Sequence, residues 1–354
     1  NILLMIFHIL RFFLLLVLFG TGGSLLKAAE PSFLRESIRA RGMGNAFTAV
    51  ANDEMVLFYN PAGLRSVQYN VYQLFNFNLT TNVKASGPLH GSISSDDANL
   101  DEGGIGKIAG KQIYLEINQE ILSHVNSRFG WSIFSNQLIS AGVHNPVFPY
   151  LDGKLYAQIG AITGIAFSFF DYKLDVGFGG KFIQRAGLNG EIHLTDKAII
   201  EASDGNADKA LKEAKNKGDN EGAFAPDFGL IYHFDGIQNL SPKLAMSVQN
   251  IGGLDFKKVG KVPMTINTGI ATESELQGID IILAADYQDL LNSQKLATEG
   301  NSLTDRNFKL GMEIGWNRLF NGHHLISYRL GRNGPYSSQG ISLNLFGFKL
   351  ELKH

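Results

Sequence analysis

Several features are scarce or absent in this chain of 354 residues, and each absence excludes a class of protein. It has no cysteine, which excludes disulfide frameworks, zinc–thiolate sites and cysteine nucleophiles. Its formal net charge is only −2, so nothing indicates a nucleic-acid partner. It has nine prolines against forty glycines, which is typical of many strands joined by tight turns.

Long apolar runs are also scarce, since the only one lies at residues 2–19 and is interrupted by a histidine and an arginine. Its uninterrupted part, residues 12–19, is shorter than the roughly 20 apolar residues that a spanning helix needs. The run is typical of a secretory signal, with small residues downstream. We predict a signal peptide at residues 1–29, with a retained membrane anchor as the alternative. Because the chain begins at Asn1 rather than Met, we expect the true start to be missing.

Most of the remaining chain alternates between apolar and polar residues with a period of two, which predicts an all-β protein. Residues 308–316 show it well, because large apolar side chains alternate there with charged residues and glycine. Residues 112–121 fit either a strand or an interfacial helix, and residues 339–352 are long enough for two strands joined near Gly347. The pattern indicates about 11 to 13 strands. The candidate strands are residues 67–79, 129–143, 155–169, 173–185, 224–234, 243–250, 263–272, 279–289, 307–316, 324–331 and 339–352.

The length of these strands favours a transmembrane barrel over a soluble sandwich, although both alternate. Membrane strands need about 9–11 residues, and several segments reach or exceed that length. Aromatic residues also cluster near strand ends, as an interfacial girdle requires, although aromatics are good strand formers anywhere. The clustered residues are Phe169, Phe170, Tyr172, Tyr232, Phe234, Trp316 and Phe320.

Connections of unequal length fit a barrel with short turns on one side and long loops on the other. Residues 80–110 are rich in Gly, Ser and Asp and predict a long loop. Residues 204–219 predict a short, solvated surface helix within a second long loop. No interdomain linker is visible, so we interpret residues 30–354 as a single domain.

Motifs that carry chemistry are weak in this sequence. Gly42-Met43-Gly44 lacks the third glycine and the βαβ context of a dinucleotide site, and the acidic residues 96–102 lack the order of a calcium loop. His323 and His324 would point to opposite sides of a strand, so they are poorly placed to share a metal ion. We expect no enzymatic activity, no catalytic residue, no metal site and no cofactor.

Charged residues on the presumed inner faces of the strands form a separate group. Polarity assigns them to the interior, because a charge facing lipid costs about 2–4 kcal/mol for Arg or Lys at the midplane. We expect them to pair with one another and hold the barrel in shape, in preference to binding a substrate. They include Asp175, Lys181, Asp227, Lys309 and Glu313.

The stretch at residues 39–64, RARGMGNAFTAVANDEMVLFYNPAGL, carries a family resemblance. It resembles the N-terminal motif of the FadL-like outer-membrane β-barrel superfamily, which includes channels for fatty acids and aromatic hydrocarbons. Residues 227–230, 248–252, 262–263, 267–269 and 284–287 are similar to the PorV-like and TraF-like branches. The resemblance spans most of the chain after the signal and is strongest at its start.

The resemblance implies a fold and a set of positions. It implies a barrel of about 14 strands whose lumen holds an N-terminal helical hatch, residues 31–64, followed by barrel strands and loops at residues 65–354. It also implies that Asn60-Pro61-Ala62 lies where the hatch joins the first strand. Asn60 would be held extended by the proline that follows it, and its amide would bind backbone groups at the turn. The residues assigned to this hatch and gating motif are Gly42, Met43, Gly44, Asn60, Pro61, Ala62 and Gly63.

Two departures from that superfamily qualify the functional expectation. The chain is short for a fatty-acid channel, so we expect reduced outer loops. It ends in Glu351-Leu352-Lys353-His354 without a terminal aromatic residue, from which we expect truncation and a missing final strand.

The resemblance implies residence in the outer membrane of a Gram-negative-type bacterium, in contact with lipid. Its leading functional implication is passive uptake of small hydrophobic molecules, such as long-chain fatty acids. The alternative is a PorV-like docking or secretion-associated protein that has a protein partner and transports nothing small. A purely structural barrel is a third hypothesis. Apolar lumen residues beneath the loops would favour uptake, whereas a plugged, polar lumen would favour docking.

Overall fold

The computed structural model describes most of the chain, and the gaps fall mainly in connections. The described residues are 34–81, 112–144, 150–193, 219–236, 239–293, 306–319, 324–345 and 348–353. The predicted signal peptide, the acidic residues 96–102 and residues 204–218 of the predicted surface helix lie outside them. So do residues 82–110 of the predicted loop.

Sixteen β-strands are present in the described residues. They are β1 Val71–Gln73, β2 Asn76–Thr81, β3 Gln112–Val125, β4 Phe129–His144, β5 Tyr150–Phe169, β6 Leu174–His193, β7 Asp219–His233, β8 Ser241–Gln249, β9 Leu254–Asp255, β10 Lys261–Val262, β11 Thr265–Leu276, β12 Ile279–Tyr287, β13 Phe308–Arg318, β14 His324–Asn333, β15 Tyr336–Leu345 and β16 Phe348–Lys353.

Fourteen of these strands form one antiparallel sheet, which confirms the expected all-β fold of about 14 strands. From β3 onward the order of strands follows the sequence, except that β9 and β10 form a separate two-stranded sheet between β8 and β11. Both β1 and β2 pair with β3, so they occupy one position in the order. Consecutive antiparallel pairing is what short hairpin connections allow.

The connections at the two ends of the sheet differ in length. At one end they are short, for example residues 126–128, 170–173 and 277–278; we call this end the short-turn rim. The opposite end carries the longer connections, including residues 82–111 and 194–218. This matches the unequal connections expected from the sequence.

Alternation along the strands produces an apolar outer face and a polar inner face. On β6, Phe178 and Phe182 are about half exposed, whereas Asp175, Lys181 and Arg185 are buried. In β5 the outward positions from Leu155 to Phe169 carry no charged side chain. The alternation of side chains with a period of two therefore gives the sheet an apolar outer surface and a charged inner surface, as the sequence predicts.

Several strand boundaries differ from the sequence prediction. The segment at residues 67–79 is divided, because Leu74 and Phe75 separate β1 from β2. Residues 112–121 belong to a strand and not to a helix, and residues 339–352 fall in two strands as expected. β5 and β6 reach 20 residues each, longer than predicted, because glycine-rich and polar stretches pair with each other beyond the apolar part.

The hatch, described from residue 34 onward, contains short helices and no strand. A helix at Ile38–Gly42 is capped by the Ser37 side chain, which accepts from the Ala40 N–H. A second helix spans Val56–Tyr59, and a 3₁₀ helix at Pro61–Ser66 leads out to β1. No described helix is long and apolar enough to cross a membrane.

The sheet curls around the hatch, which lies against its inner face. The hatch contacts early strands through Arg41 and Thr80 of β2, and late strands through Glu54 and Lys349 of β16. Its apolar side chains are almost completely buried, for example Phe47 and Tyr59 at 0% exposure. The core of the molecule is therefore the interface between the hatch and the interior of the sheet.

Candidate functional site

Arg39 is the centre of the largest ionic network in the described interior. From the first hatch helix its Nε lies 2.9 Å from Glu313 Oε2, and its Nη1 lies 2.9 Å from Asp53 Oδ2. Glu313 on β13 also accepts from Arg329 on β14, which in turn contacts Glu351 on β16. One hatch arginine is thus connected, directly or through Glu313 and Arg329, to β13, β14 and β16.

Arg41 makes a second anchor on the other side of the same helix. It lies 2.7 Å from Glu36 within the hatch and 2.6 Å from Glu116 on β3. Its Nη1 also donates to the Thr80 hydroxyl on β2. These contacts attach the hatch to the first strands of the sheet.

Arg35 is the least well satisfied of the hatch arginines. Its side chain is 1% exposed, lies 3.6 Å from Glu120 and stacks 5.5 Å from the Phe58 ring. None of its three guanidinium nitrogens has a hydrogen-bond partner among the described residues. Such a cation contributes less to holding the hatch than Arg39 or Arg41, because a buried charge needs hydrogen bonds as well as a nearby counter-charge.

The pKa values of these three arginines follow from their partners. Burial lowers the pKa of Arg39, but the opposing charges of Glu313 and Asp53 raise it further, so the net direction is upward. Glu36 and Glu116 raise the pKa of Arg41 in the same way. At Arg35 burial outweighs Glu120 and the pKa falls.

Asp286 on β12 anchors the middle of the hatch through backbone groups. One of its carboxylate oxygens accepts the N–H groups of Phe47 and Thr48, both at 2.8 Å. Nearby, the Gln288 amide donates to the Asn45 carbonyl at 2.8 Å. A strand-free segment needs such side-chain acceptors, because its N–H groups have no sheet ladder to join.

Asn60 lies where the hatch packs against β7 and β8. Its backbone is extended, at φ −156° and ψ 107°, as a residue before proline prefers. Its Oδ1 accepts from Ala62 N at 3.1 Å, and its Nδ2 donates to the Thr48 carbonyl at 3.0 Å. A fully buried side chain thereby caps the 3₁₀ helix and links it to the rest of the hatch.

Two glycines of the sheet leave the space that the hatch occupies around Asn60. A Cβ added at Gly177 on β6 would lie 2.1 Å from Ala62 N, and one at Gly229 on β7 would lie 2.0 Å from Asn60 Oδ1. The absence of these side chains lets the backbone of the hatch lie directly against the sheet. The sequence analysis did not single out either glycine.

The Gly42-Met43-Gly44 part of the predicted motif packs elsewhere, against β14 and β15. Gly44 has φ +63°, and a Cβ added at Gly331 would lie 2.0 Å from Gly44 N. The Ser338 hydroxyl donates to the Gly42 carbonyl at 3.3 Å. Met43 is fully buried.

The predicted motif is therefore divided between two places. Gly42, Met43 and Gly44 lie against the last strands, whereas Asn60, Pro61, Ala62 and Gly63 lie against β6 to β8. Gly63 itself faces inward, since a Cβ there would lie 2.2 Å from the Ala51 carbonyl oxygen. These residues are close packing positions of the hatch and do not converge on one pocket.

The expected pairing among inward charges occurs between strands, as in Arg329 with Glu313 and Lys243 with Glu273. Of the five residues named in the prediction, Lys181 and Asp227 pair with each other. Lys181 lies 3.0 Å from Asp227, and both are buried. Glu313 instead pairs with arginines, and Lys309 donates to the Arg306 carbonyl and to Asn333. The sequence analysis did not predict the hatch arginines as partners of the inward charges. The presence of three arginines in a compact, mostly apolar segment could have indicated that these arginines have buried carboxylate partners.

A cavity of about 490 Å³ lies between the hatch and the short-turn rim. Arg39 and Asp53 contribute to its wall on the hatch side, and Ser168, His233 and Arg318 contribute near the rim. Six lysine or arginine residues and four carboxylate residues line it, so its walls are ionic. Its volume suits a small molecule, but its lining suits water and polar groups better than a hydrocarbon.

Ser168, Asp175 and His233 come together at this rim. The Ser168 hydroxyl donates to Asp175, and His233 Nε2 lies 2.7 Å from the other oxygen of the same carboxylate. A serine nucleophile requires direct contact with the imidazole, but here the carboxylate lies between the two. The arrangement stabilises the turn and positions Arg65, whose Nε donates to Ser168.

Comparisons with known proteins give a likeness among solved structures. No family model matches the chain, and no curated protein matches it. Among solved structures, the chain is similar to the CymD monoaromatic hydrocarbon channel, with 12% sequence identity and a TM-score of 0.42. The match covers 89% of this chain and 91% of that one.

Proposed function

We propose that this protein is an outer-membrane β-barrel for the passive uptake of small hydrophobic molecules, with long-chain fatty acids as one ligand class. The observation that carries the proposal is the contrast between the two faces of the sheet. The outer face presents half-exposed Phe, Ile and Leu side chains along successive strands, for example Ile159, Ile165, Phe167 and Phe178. An exposed apolar surface of this extent suits contact with lipid.

A girdle of aromatic residues at the short-turn rim supports the membrane placement. Phe169, Phe170, Tyr172, Phe234 and Trp316 are each at least half exposed. Aromatic side chains of transmembrane barrels concentrate at the membrane interface. The short-turn rim would then lie at the periplasmic surface, because barrels of this type have short periplasmic turns.

Uptake requires the hatch to shift, because it is bound to both early and late strands of the sheet. Within its described part it is held by side-chain contacts, and ionic contacts can exchange with water when the segment moves. A ligand would enter among the long connections, pass beside the hatch and leave through the ionic cavity or between strands. The ionic cavity would release a hydrophobic molecule readily, since its walls offer that molecule little apolar contact.

A docking or secretion-associated protein with a protein partner is the second candidate. The specific observation in its favour is the plugged, ionic interior, in which Arg39, Glu313 and Arg329 form buried pairs. Such an interior favours a rigid scaffold whose loops bind a partner and through which nothing small passes. The two candidates differ in whether the hatch controls permeability.

The membrane assignment is tested by expressing the full chain in a Gram-negative host and separating the membranes. We expect the protein in the outer-membrane fraction, with a gel mobility that changes on heating. A soluble protein, or one in the inner membrane, would refute the barrel proposal.

Transport is tested in intact host cells that lack their own hydrophobic-compound channel, with a fluorescent naphthylamine probe. Deletion of residues 31–64 should increase the rate of probe entry over that of the full chain. The matched control is Asp255→Asn, which changes an exposed ion pair with Lys261 outside the hatch. Equal entry in cells with and without the full chain, and no effect of the deletion, would favour docking over uptake.

A further inference from the structure

We propose that residues 250–264, which connect β8 to β11, form a lid over the lumen that opens separately from the hatch. This connection contains β9, β10 and a 3₁₀ helix at Lys257–Val259, and we call it the inner hairpin. The proposal rests on the uptake function and adds a second barrier to it. A ligand that enters among the long connections would have to displace the inner hairpin before it reaches the hatch.

The inner hairpin lies on the inner face of β6 and β7, on the side of the long connections. β8 ends at Gln249, whose side chain donates to the Tyr59 carbonyl of the hatch at 3.0 Å. β6 and β7 continue to pair beyond that level. There the Phe256 ring centroid lies 4.1 Å from the guanidinium carbon of the inward-facing Arg185 of β6. The inner hairpin therefore lies between the hatch and the long connections.

The inner hairpin buries few apolar side chains against the sheet. They are Leu254, Phe256 and Val259. In the hatch, by contrast, apolar side chains are buried along the whole length from Ala40 to Leu64. A segment with few buried apolar contacts opens at a lower free-energy cost than a segment with many. We therefore expect the inner hairpin to open while the hatch stays in place.

Two ion pairs attach the inner hairpin to β7. Lys257 Nζ lies 2.7 Å from Glu221 Oε1, and Lys258 Nζ lies 3.4 Å from Asp219 Oδ2. The two lysine side chains are 68% and 81% exposed. Because water and salt screen exposed charges, each pair resists opening only weakly. These attachments differ in kind from the buried ion pairs that hold the hatch.

Pairing between β9 and β10 makes the inner hairpin a unit that can move as one piece. Asp255 Oδ2 lies 2.6 Å from Lys261 Nζ across the two strands. The Phe256 N–H also donates to the Gly260 carbonyl at 3.0 Å. All of these bonds lie within the inner hairpin, so it keeps them when it leaves the sheet.

Gly252 and Gly253 provide a hinge between this unit and β8. Directly before them, the Ile251 N–H still donates to the Pro226 carbonyl of β7 at 2.9 Å. The two glycines have φ +85° and +79°, and a Cβ added at Gly252 would meet nothing within 4 Å. Packing does not fix the bend at this point. A few residues at the end of an element are enough to absorb the backbone change when a lid moves.

Opening is tested by thiol labelling of the purified full chain in detergent, since the chain has no native cysteine. The reporter is Val259→Cys, which replaces a side chain that is 3% exposed. Adding Glu221→Gln and Asp219→Asn should raise its rate of reaction with a maleimide about two- to tenfold, because both attachments to β7 are weakened. High salt should also raise the rate in the reporter without these changes.

Two controls accompany the labelling. Ala46→Cys places the reporter in the hatch at a side chain that is 0% exposed, and its rate should not respond to the changes on β7. Asp235→Asn removes an exposed ion pair with Lys173 at the short-turn rim, and it should leave labelling at Val259→Cys unchanged.

The barrier itself is tested in the intact cells of the uptake assay. Glu221→Cys and Lys257→Cys are joined by a bifunctional methanethiosulfonate reagent, whose disulfide links dithiothreitol breaks. We expect the cross-link to abolish most of the entry of the naphthylamine probe, and dithiothreitol to restore it. Lys257→Cys alone, treated with the same reagent, cannot be cross-linked to β7 and should keep its probe entry.

The contrary outcomes separate this proposal from the uptake function. An unchanged labelling rate at Val259→Cys, or an equal rise at Val259→Cys and Ala46→Cys, would overturn a lid that opens separately from the hatch. Normal probe entry through the cross-linked protein would overturn the barrier and leave uptake standing. Absence of probe entry with and without the cross-link would refute uptake, and the barrier with it.

Discussion

Single buried side chains decide how the hatch is held. Glu313 is the clearest case, because its carboxylate is 1% exposed and serves both Arg39 and Arg329. Removing its charge would leave two buried guanidinium groups without their shared counter-charge. In such a network the loss of one partner costs more than the intact interaction contributes.

We predict that Glu313→Gln lowers the stability of the folded barrel by about 3–5 kcal/mol, the cost of breaking a buried ion pair. The measurement is the temperature at which the compact gel band converts to the unfolded one. Asp255→Asn provides the control, since Asp255 pairs with Lys261 at the surface. An equal conversion temperature for both variants would contradict a central role for the Arg39 network.

Asn60 provides a second prediction about one side chain. Asn60→Ala removes the acceptor of Ala62 N and the donor to the Thr48 carbonyl, and should cost about 1–3 kcal/mol. Asn60→Asp should cost more, because its second oxygen would face that carbonyl without a proton to donate. The same thermal assay ranks the variants against Asn70→Ala, an exposed asparagine. An Asp variant as stable as the asparagine would contradict this geometry.

At the level of elements, the position of the 3₁₀ helix at Pro61–Ser66 depends on strand residues that have no side chain beneath it. Gly177 and Gly229 leave space for backbone contact that no side chain could share. The inner face of β6 therefore contains glycine where it contacts the 3₁₀ helix, and larger side chains such as Asp175, Lys181 and Ile183 elsewhere.

We predict that Gly177→Ala displaces the 3₁₀ helix and loosens the hatch. The expected result is faster trypsin cleavage after Arg35 and Arg39 in the folded protein, because both residues are otherwise buried. Gly180→Ala on the same strand is the matched control, since its Cβ would meet the Phe224 ring at an ordinary 3.5 Å. Identical cleavage of the two variants would argue against close packing of the 3₁₀ helix on Gly177.

Strands were easier to predict from the sequence than the contacts of the hatch. Alternation in residues 173–185 correctly placed Phe178 outside and Asp175 inside, because the period of two is a local property. Glu313 pairs with Arg39, which lies 274 positions earlier in the chain. No local sequence pattern can indicate a contact between residues so far apart. The interruption at Leu74 and Phe75 was missed because Phe75 favours strands and Leu74 is apolar like its neighbours in the pattern.

The whole molecule presents one continuous contrast between an apolar outside and an ionic inside. This contrast predicts where a new charge is tolerated. Ile165 faces outward from β5 and is 43% exposed, and its strand partner Phe178 is 49% exposed. Gln184 on β6 also faces outward but is already polar.

We predict that Ile165→Lys impairs assembly in the outer membrane, because a lysine facing lipid near the midplane costs about 2–4 kcal/mol. Gln184→Lys should assemble normally. The measurement is the fraction of heat-modifiable protein recovered from the outer membrane. Normal recovery of both variants would contradict a lipid-facing surface at Ile165.

The contact between Lys349 and Glu54 has a consequence for the order of folding. It joins residues 295 positions apart at 3.0 Å, one in the hatch and one in the last strand described. Closing so long a loop is slow compared with forming hairpins between neighbouring strands. The hatch precedes the strands in the chain but acquires this ionic partner only when β16 takes its place. The contact between Glu54 and Lys349 can therefore form only after nearly the whole sheet has formed.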